Sequence, residues 1–146
     1  MASTNNDNLK AFLLENAIPA EEVTYVASRR FVGADRKPIA WKLRILTSEE
    51  SDKLLNQSKH KEFVPGTRDI KIVTDNEAFL TKLICASVTF PNLNDASLQD
   101  SYQAIGAEDL IHKMLTPGEY VDLAGAVQEA NGFEVGMQDK IERAKG

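Results

Sequence analysis

The sequence predicts one α+β domain in which an N-terminal antiparallel β-hairpin or small sheet packs against a C-terminal bundle of short helices. Three observations carry this reading. Apolar residues alternate with a period of two within residues 23–46, they recur at three and four residues beyond residue 74, and helix start and stop residues punctuate everything after Pro91. The 146 residues, 42% apolar and 27% charged, are enough to bury a core without disulfide or metal support.

Residues 1–22 form a polar arm followed by a short helix. The first eight residues are small and polar, whereas Leu9, Phe12 and Leu13 share the spacing of one helical face that Pro19 then stops. Residues 23–133 make the domain. Val23, Tyr25 and Ala27 alternate with Thr24, Val26 and Ser28. After Gly33-Ala34-Asp35, the residues Ile39, Trp41, Leu43 and Ile45 alternate with Ala40, Lys42 and Arg44. That pattern gives a half-buried hairpin over 23–46 with one apolar and one basic face.

Thr47-Ser48-Glu49-Glu50 has the spacing of a capping box, in which hydroxyl and carboxylate satisfy each other's backbone N–H groups, and it opens a helix over 48–58. Pro65-Gly66 interrupts, and Ile70 and Ile72 suit a third strand or an extended loop. Thr74-Asp75-Asn76-Glu77 repeats the capping spacing ahead of Phe79, Leu80, Leu83, Ile84 and Val88, predicting a helix over 75–87. A helix over 95–105 starts at Asn94 or Asp95 and closes at Gly106, and another spans 107–115. In Thr116-Pro117-Gly118-Glu119 the cap, the N1 proline and the N3 carboxylate all occupy preferred positions, opening a helix over 117–130 that Asn131-Gly132 ends. Residues 134–146 are a charged tail. Strands are thus expected first and helices after.

Charge divides the chain unevenly. Residues 1–22 net -3, residues 23–73 net +5 and residues 74–146 net -7, within a total of -5. Arg29, Arg30, Arg36, Lys37, Lys42 and Arg44 interleave with Phe31 and Trp41, the composition of a nucleic-acid-binding strand face, so a small binding module using hairpin 29–44 is the alternative functional reading. Against it stand the acidic pI near 5.1 and the alternation that turns Trp41 inward.

Motifs for catalysis are missing. Neither a phosphate loop nor a dinucleotide-binding glycine pattern occurs, and His60 and His112 lack the spacing of metal ligands. Cys85 follows Leu83 and Ile84 on an apolar helix face, which suits packing rather than nucleophilic chemistry. The neighbouring carboxylates Glu49-Glu50 and Glu108-Asp109 sit where helix starts favour negative charge. No catalytic, cofactor or metal residues are assigned, and no enzyme activity is expected. One cysteine and no signal-peptide pattern lead to the expectation of a cytoplasmic protein without a membrane span.

The second half resembles a known family. Leu83-Ile84-Cys85-Ala86-Ser87-Val88, Pro91-Asn92-Leu93-Asn94-Asp95, Leu98-Gln99-Asp100-Ser101-Tyr102, Leu110-Ile111-His112-Lys113-Met114-Leu115, Pro117-Gly118-Glu119-Tyr120 and Asn131-Gly132-Phe133 are similar to the XkdN-like tail assembly chaperones of contractile-tailed phages and PBSX-like defective prophages. The resemblance covers about residues 38–133. It implies a non-catalytic protein that binds the tape measure protein, keeps it soluble and helps recruit tail tube subunits, without remaining in the finished particle. It also implies a cytoplasmic site of action in the host and an association with programmed frameshifting. Self-association is a further expectation. A groove among the helices from Asp95 to Asn131, lined by Leu98, Tyr102, Leu110, Met114 and Tyr120, is the expected docking surface. The competing role for these five side chains is to fill the domain core.

Overall fold

A computed structural model describes residues 8–133; the expected C-terminal tail lies outside the described residues. Strand β1 (Val23–Tyr25) pairs antiparallel with β2 (Trp41–Leu43), and β2 pairs antiparallel with β5 (Val88–Phe90), so the sheet order is β1-β2-β5. The expected alternation is present where it matters. Trp41 and Leu43 are buried while Lys42 between them is exposed, as a strand with one covered face requires. The strands are much shorter than 23–46, however. Residues 26–40 form a long excursion closed by a bridge from Val32 to Pro38, with Arg36 left-handed at φ 61°.

Helix α1 (Ser48–Gln57) begins with the predicted reciprocal cap: the Glu50 N–H donates to Thr47 Oγ1 at 3.2 Å and the Thr47 N–H donates to Glu50 Oε1 at 3.0 Å. A second, two-stranded sheet follows, β3 (Lys59–Phe63) against β4 (Ile70–Thr74), with Phe63 opposite Ile70 and Lys59 opposite Thr74. Strand β4 was one of the two alternatives for residues 70–73; β3 was not expected. Its Lys-His-Lys-Glu-Phe sequence carries one apolar residue, leaving no alternation to read.

Helix α2 (Asn76–Ser87) is the centre of the fold and packs against α1, α4 and α5. Its cap differs from the expected one. Asp75, not Thr74, accepts from the Ala78 N–H at 3.0 Å, because Thr74 is already engaged as the last residue of β4. The strand β5 that follows directly was also unexpected, and with it the order of strands first and helices after is corrected: the central β2 is completed by a strand lying beyond two helices.

Helix α3 (Ala96–Ser101) is shorter than 95–105 and ends with Gln103 left-handed at φ 54°. Gly106 therefore does not close it. At φ 88° Gly106 instead opens α4 (Gly106–Met114), where the Asp109 carboxylate accepts the Ile105 N–H at 2.9 Å. Helix α5 (Pro117–Ala130) has the expected bounds, the Thr116/Glu119 capping box and Pro117 in its first turn.

A single core cluster joins sheet and helices through Trp41, Leu43, Leu83, Ile84, Leu93, Leu110, Ile111, Leu123 and Val127. Asn131 fastens its far end. The Asn131 Oδ1 accepts the Leu46 N–H at 2.7 Å, and its Nδ2 donates to Val127 O at 2.8 Å and to Ser87 Oγ at 3.4 Å. Gly132 follows at φ 81°, and the Phe133 N–H returns to Gln128 O at 2.8 Å. The Asn-Gly-Phe motif is thus a helix stop that also ties α5 to α2 and to the segment after β2. Asn131→Ala leaves the Leu46 donor without this acceptor and is expected to cost about 1–3 kcal/mol in urea unfolding.

Candidate functional site

The five sequence-predicted residues separate into three environments. Leu98 on α3, Tyr102 at its C-cap and Met114 at the end of α4 converge on one apolar pocket of about 190 Å³, completed by Phe31, Ile39, Trp41, Phe90 and Pro91. Leu98 and Tyr102 are half-buried and Met114 is nearly covered, so the first two form the accessible wall. Tyr120 belongs elsewhere: its ring stacks on His112 at 4.6 Å and its hydroxyl lies 2.7 Å from Thr81 Oγ1, in an open depression shared with Asp75, Glu77, Glu108 and Asp109. Leu110 is 0% exposed and belongs to the core cluster. Its expected place on a docking surface is therefore corrected, because a side chain without solvent surface meets no partner in the folded protein.

The pocket is held open by contacts that cross the whole chain. Phe31 and Trp41 rings stand 6.4 Å apart at 34°, and Arg30 lies over the Phe31 ring at 5.2 Å. The same guanidinium donates to Met114 O at 2.6 Å and to Glu119 Oε1 at 2.9 Å. One arginine thus anchors the 26–40 excursion to the α4–α5 junction. Sequence reasoning gave no signal for Phe90 or Pro91 at this site, since their arrival depends on β5 pairing with β2.

The six hairpin bases divide by the same geometry. Arg30 is committed to Glu119, and Arg44 to Glu50 at 2.7 Å and to Ala86 O at 2.9 Å. Arg29, Arg36, Lys37 and Lys42 stay on the surface, but Trp41 is buried, so its ring is not presented for base stacking as a nucleic-acid face would require.

Two carboxylates carry the electrostatic signature of these anchors. The hydrogen bond from Arg30, followed by bonds from Ser28 and the Thr116 N–H, holds Glu119 down to about 2; that from Arg44, followed by the Thr47 N–H, holds Glu50 down to about 2, both from an ordinary 4.5. In this window the unfolded chain binds more protons than the folded one, so the stabilisation is full above about 4.5 and is lost as pH falls toward about 2. Urea midpoints measured down this range should fall, and Glu119→Gln, which retains capping capacity, should flatten the fall. Burial first, then Glu108, pushes the Cys85 thiol up to about 12, in keeping with a packing role. Among the described residues no cluster of three or more His, Cys, Asp or Glu side chains is placed to hold a metal ion, and no helix is long and apolar enough to cross a membrane.

Comparison with known proteins places this arrangement. The profile of the phage XkdN-like tail assembly chaperone proteins matches residues 9–145. The phage-like element PBSX protein XkdN of Bacillus subtilis strain 168 is 28% identical over 147 residues, covering 98% of this chain and 99% of the relative. Protein YqbN of the same strain is 26% identical over 139 residues, covering 94% and 93%. The crystal structure of YqbN superposes with a TM-score of 0.71 at 22% identity, over 85% of this chain and 95% of that one, which establishes the α+β fold. With the match running through nearly the whole described body, the chain belongs to the phage XkdN-like tail assembly chaperone family.

Proposed function

We propose that this chain acts in tail assembly without catalysis, by binding an apolar segment of the tape measure protein in the pocket bounded by Leu98, Tyr102 and Met114. The carrying observation is that pocket: an open apolar recess walled in part by Phe31 and Ile39 of the excursion that also exposes Arg29, Arg36 and Lys37, on a body whose family is a tail assembly chaperone family. A site of about 190 Å³ accepts one large apolar side chain at a time, since a dry cavity of about 150 Å³ holds benzene. Such a pocket suits an anchor-residue mode of binding, in which one buried side chain fixes a longer segment and surrounding polar groups set its direction.

In this reading the chain shields the tape measure protein in the cytoplasm of the host bacterium, helps recruit tail tube subunits to it and is released before the particle is complete. Co-expression with the tape measure protein tests the first step. The expected result is a soluble complex that purifies together, with the tape measure protein insoluble when expressed alone. Equal insolubility with and without this chain, and no complex, would sink the reading.

A further inference from the structure

Residues 8–18 present an apolar surface that the fold does not use. Backbone bonds from Phe12 N to Leu9 O at 3.0 Å and from Ala17 N to Leu13 O at 2.8 Å, and the Asn16 side chain on Lys10 O at 2.9 Å, give the arm its own local turns. Yet Leu9, Phe12, Leu13, Leu14 and Ile18 are 64, 81, 43, 96 and 93% exposed. The expected helix is thus confined to residues 8–10, and Phe12 and Leu13 lie in the turns that follow, without a surface beneath them. Five large apolar side chains exposed within eleven residues are a concentration of the kind that marks an interaction site.

We propose that the arm of one copy docks into the Leu98–Tyr102 pocket of a second copy, and that the exchange is reciprocal. Size favours it: Phe12 is the most exposed aromatic side chain among the described residues, and the pocket of about 190 Å³ holds one ring. Charge favours it as well. Residues 8–22 carry Glu15, Glu21 and Glu22 against a single Lys10, while the excursion that brings Phe31 and Ile39 to the pocket exposes Arg29, Arg36 and Lys37. Placement is the third argument. The root of the arm is held on the sheet, where Thr89, the β5 residue that precedes the pocket-lining Phe90 in sequence, donates to Glu22 Oε2 at 3.0 Å, and Pro19 favours an extended backbone at Ile18. Within one copy the arm is self-bonded and exposed; a facing copy offers it a cover.

Reciprocal exchange gives a closed two-fold dimer. A buried aromatic covers about 150–250 Å², so the two seated rings supply about 300–500 Å², and the aliphatic side chains of the arms against the facing surface have to supply the rest of the roughly 1,000 Å² that a specific interface needs. The inference is independent of what the client is, although client and arm would compete for the pocket.

Sedimentation of the full chain, with no tape measure protein present, is the test. The expected result is a dimer at micromolar concentration, weakened at least tenfold by Phe12→Glu and Leu14→Glu together and more salt-sensitive than its Arg29→Glu, Arg36→Glu counterpart. Because Phe12 and Leu14 are exposed, these changes leave the fold intact, which circular dichroism verifies. A copy with the altered arm mixed with one carrying Leu98→Glu should still form a heterodimer through the one remaining arm–pocket pair. A full chain that is monomeric at 100-fold higher concentration (on the order of 100 μM, far above a Kd expected of a specific interface) would overturn the proposal, as would a dimer indifferent to the arm substitutions. A monomer in which Phe12→Glu shifts the emission of the sole tryptophan, Trp41, would assign the arm to its own pocket and equally overturn it.

Discussion

Leu110→Ala is expected to destabilise the chain by about 2–5 kcal/mol, the range for truncating a fully buried leucine whose neighbours cannot collapse into the space. Leu110 sits on α4 with no exposed surface, within the cluster that includes Trp41, Leu43, Leu83 and Ile84. Against a typical total stability of about 5–15 kcal/mol, that loss is large. Urea unfolding should show a lower midpoint at an unchanged slope, since the surface exposed on unfolding is nearly the same. The result separates two roles that the sequence alone left together. Any loss of client binding in this variant follows from unfolding, so Leu110 reports on the core and not on the docking surface.

Leu98→Glu should do the reverse. Leu98 is half-buried at the pocket wall, in the first turn of α3, where its N–H donates to Asp95 Oδ1 at 2.9 Å. A glutamate there keeps the cap and adds favourable negative charge near a helix N-terminus, so the far-ultraviolet spectrum and most of the stability should remain. Client capture should fall by about 30-fold or more, because an anchor residue is worth about 2 kcal/mol or more and each 1.4 kcal/mol is tenfold. Quantifying tape measure protein recovered per chaperone, wild type against variant, checks this. Full recovery with the glutamate present would remove the pocket from consideration.

What could be read from the sequence followed the range of the interactions. Thr47 with Glu50, and Thr116 with Pro117 and Glu119, are contained within four consecutive residues, and both helices start where these residues place them. Asn131-Gly132 likewise ends α5 on local grounds. The Trp41–Lys42–Leu43 alternation survives because β2 has one covered face. The errors lie where a residue answers to a distant partner. Val88 continues the helical spacing of Leu83 and Ile84, but β2 draws it and Phe90 into the sheet. Lys59–Phe63 is a strand only because Ile70–Thr74 lies beside it. Gly106 has the left-handed backbone expected of it, yet Gln103 had already turned the chain, so the glycine begins a helix rather than ending one.

The site shows the same division. Leu98, Tyr102 and Met114 carried a helical signal and do share a pocket, whereas its opposite wall comes from Phe31, Trp41, Phe90 and Pro91. That wall is set by Arg30 reaching Met114, 84 positions away. The motifs that carry the family resemblance are themselves mostly structural. Pro117-Gly118-Glu119-Tyr120 supplies a cap, the partner of Arg30 and the hydroxyl against Thr81, and Asn131-Gly132-Phe133 closes α5.

The central claim, that the tape measure protein is held at this pocket, is tested most directly by site-specific photocrosslinking during co-expression. A photoreactive amino acid replaces Leu98 in one strain, Tyr102 in a second and Ile72 in a third; Ile72 is an exposed apolar residue on β4, in a separate sheet and outside the pocket lining. The account predicts adducts with the tape measure protein from positions 98 and 102 and none from 72. Adducts from 72 alone would contradict it and move the docking surface to the β3–β4 sheet.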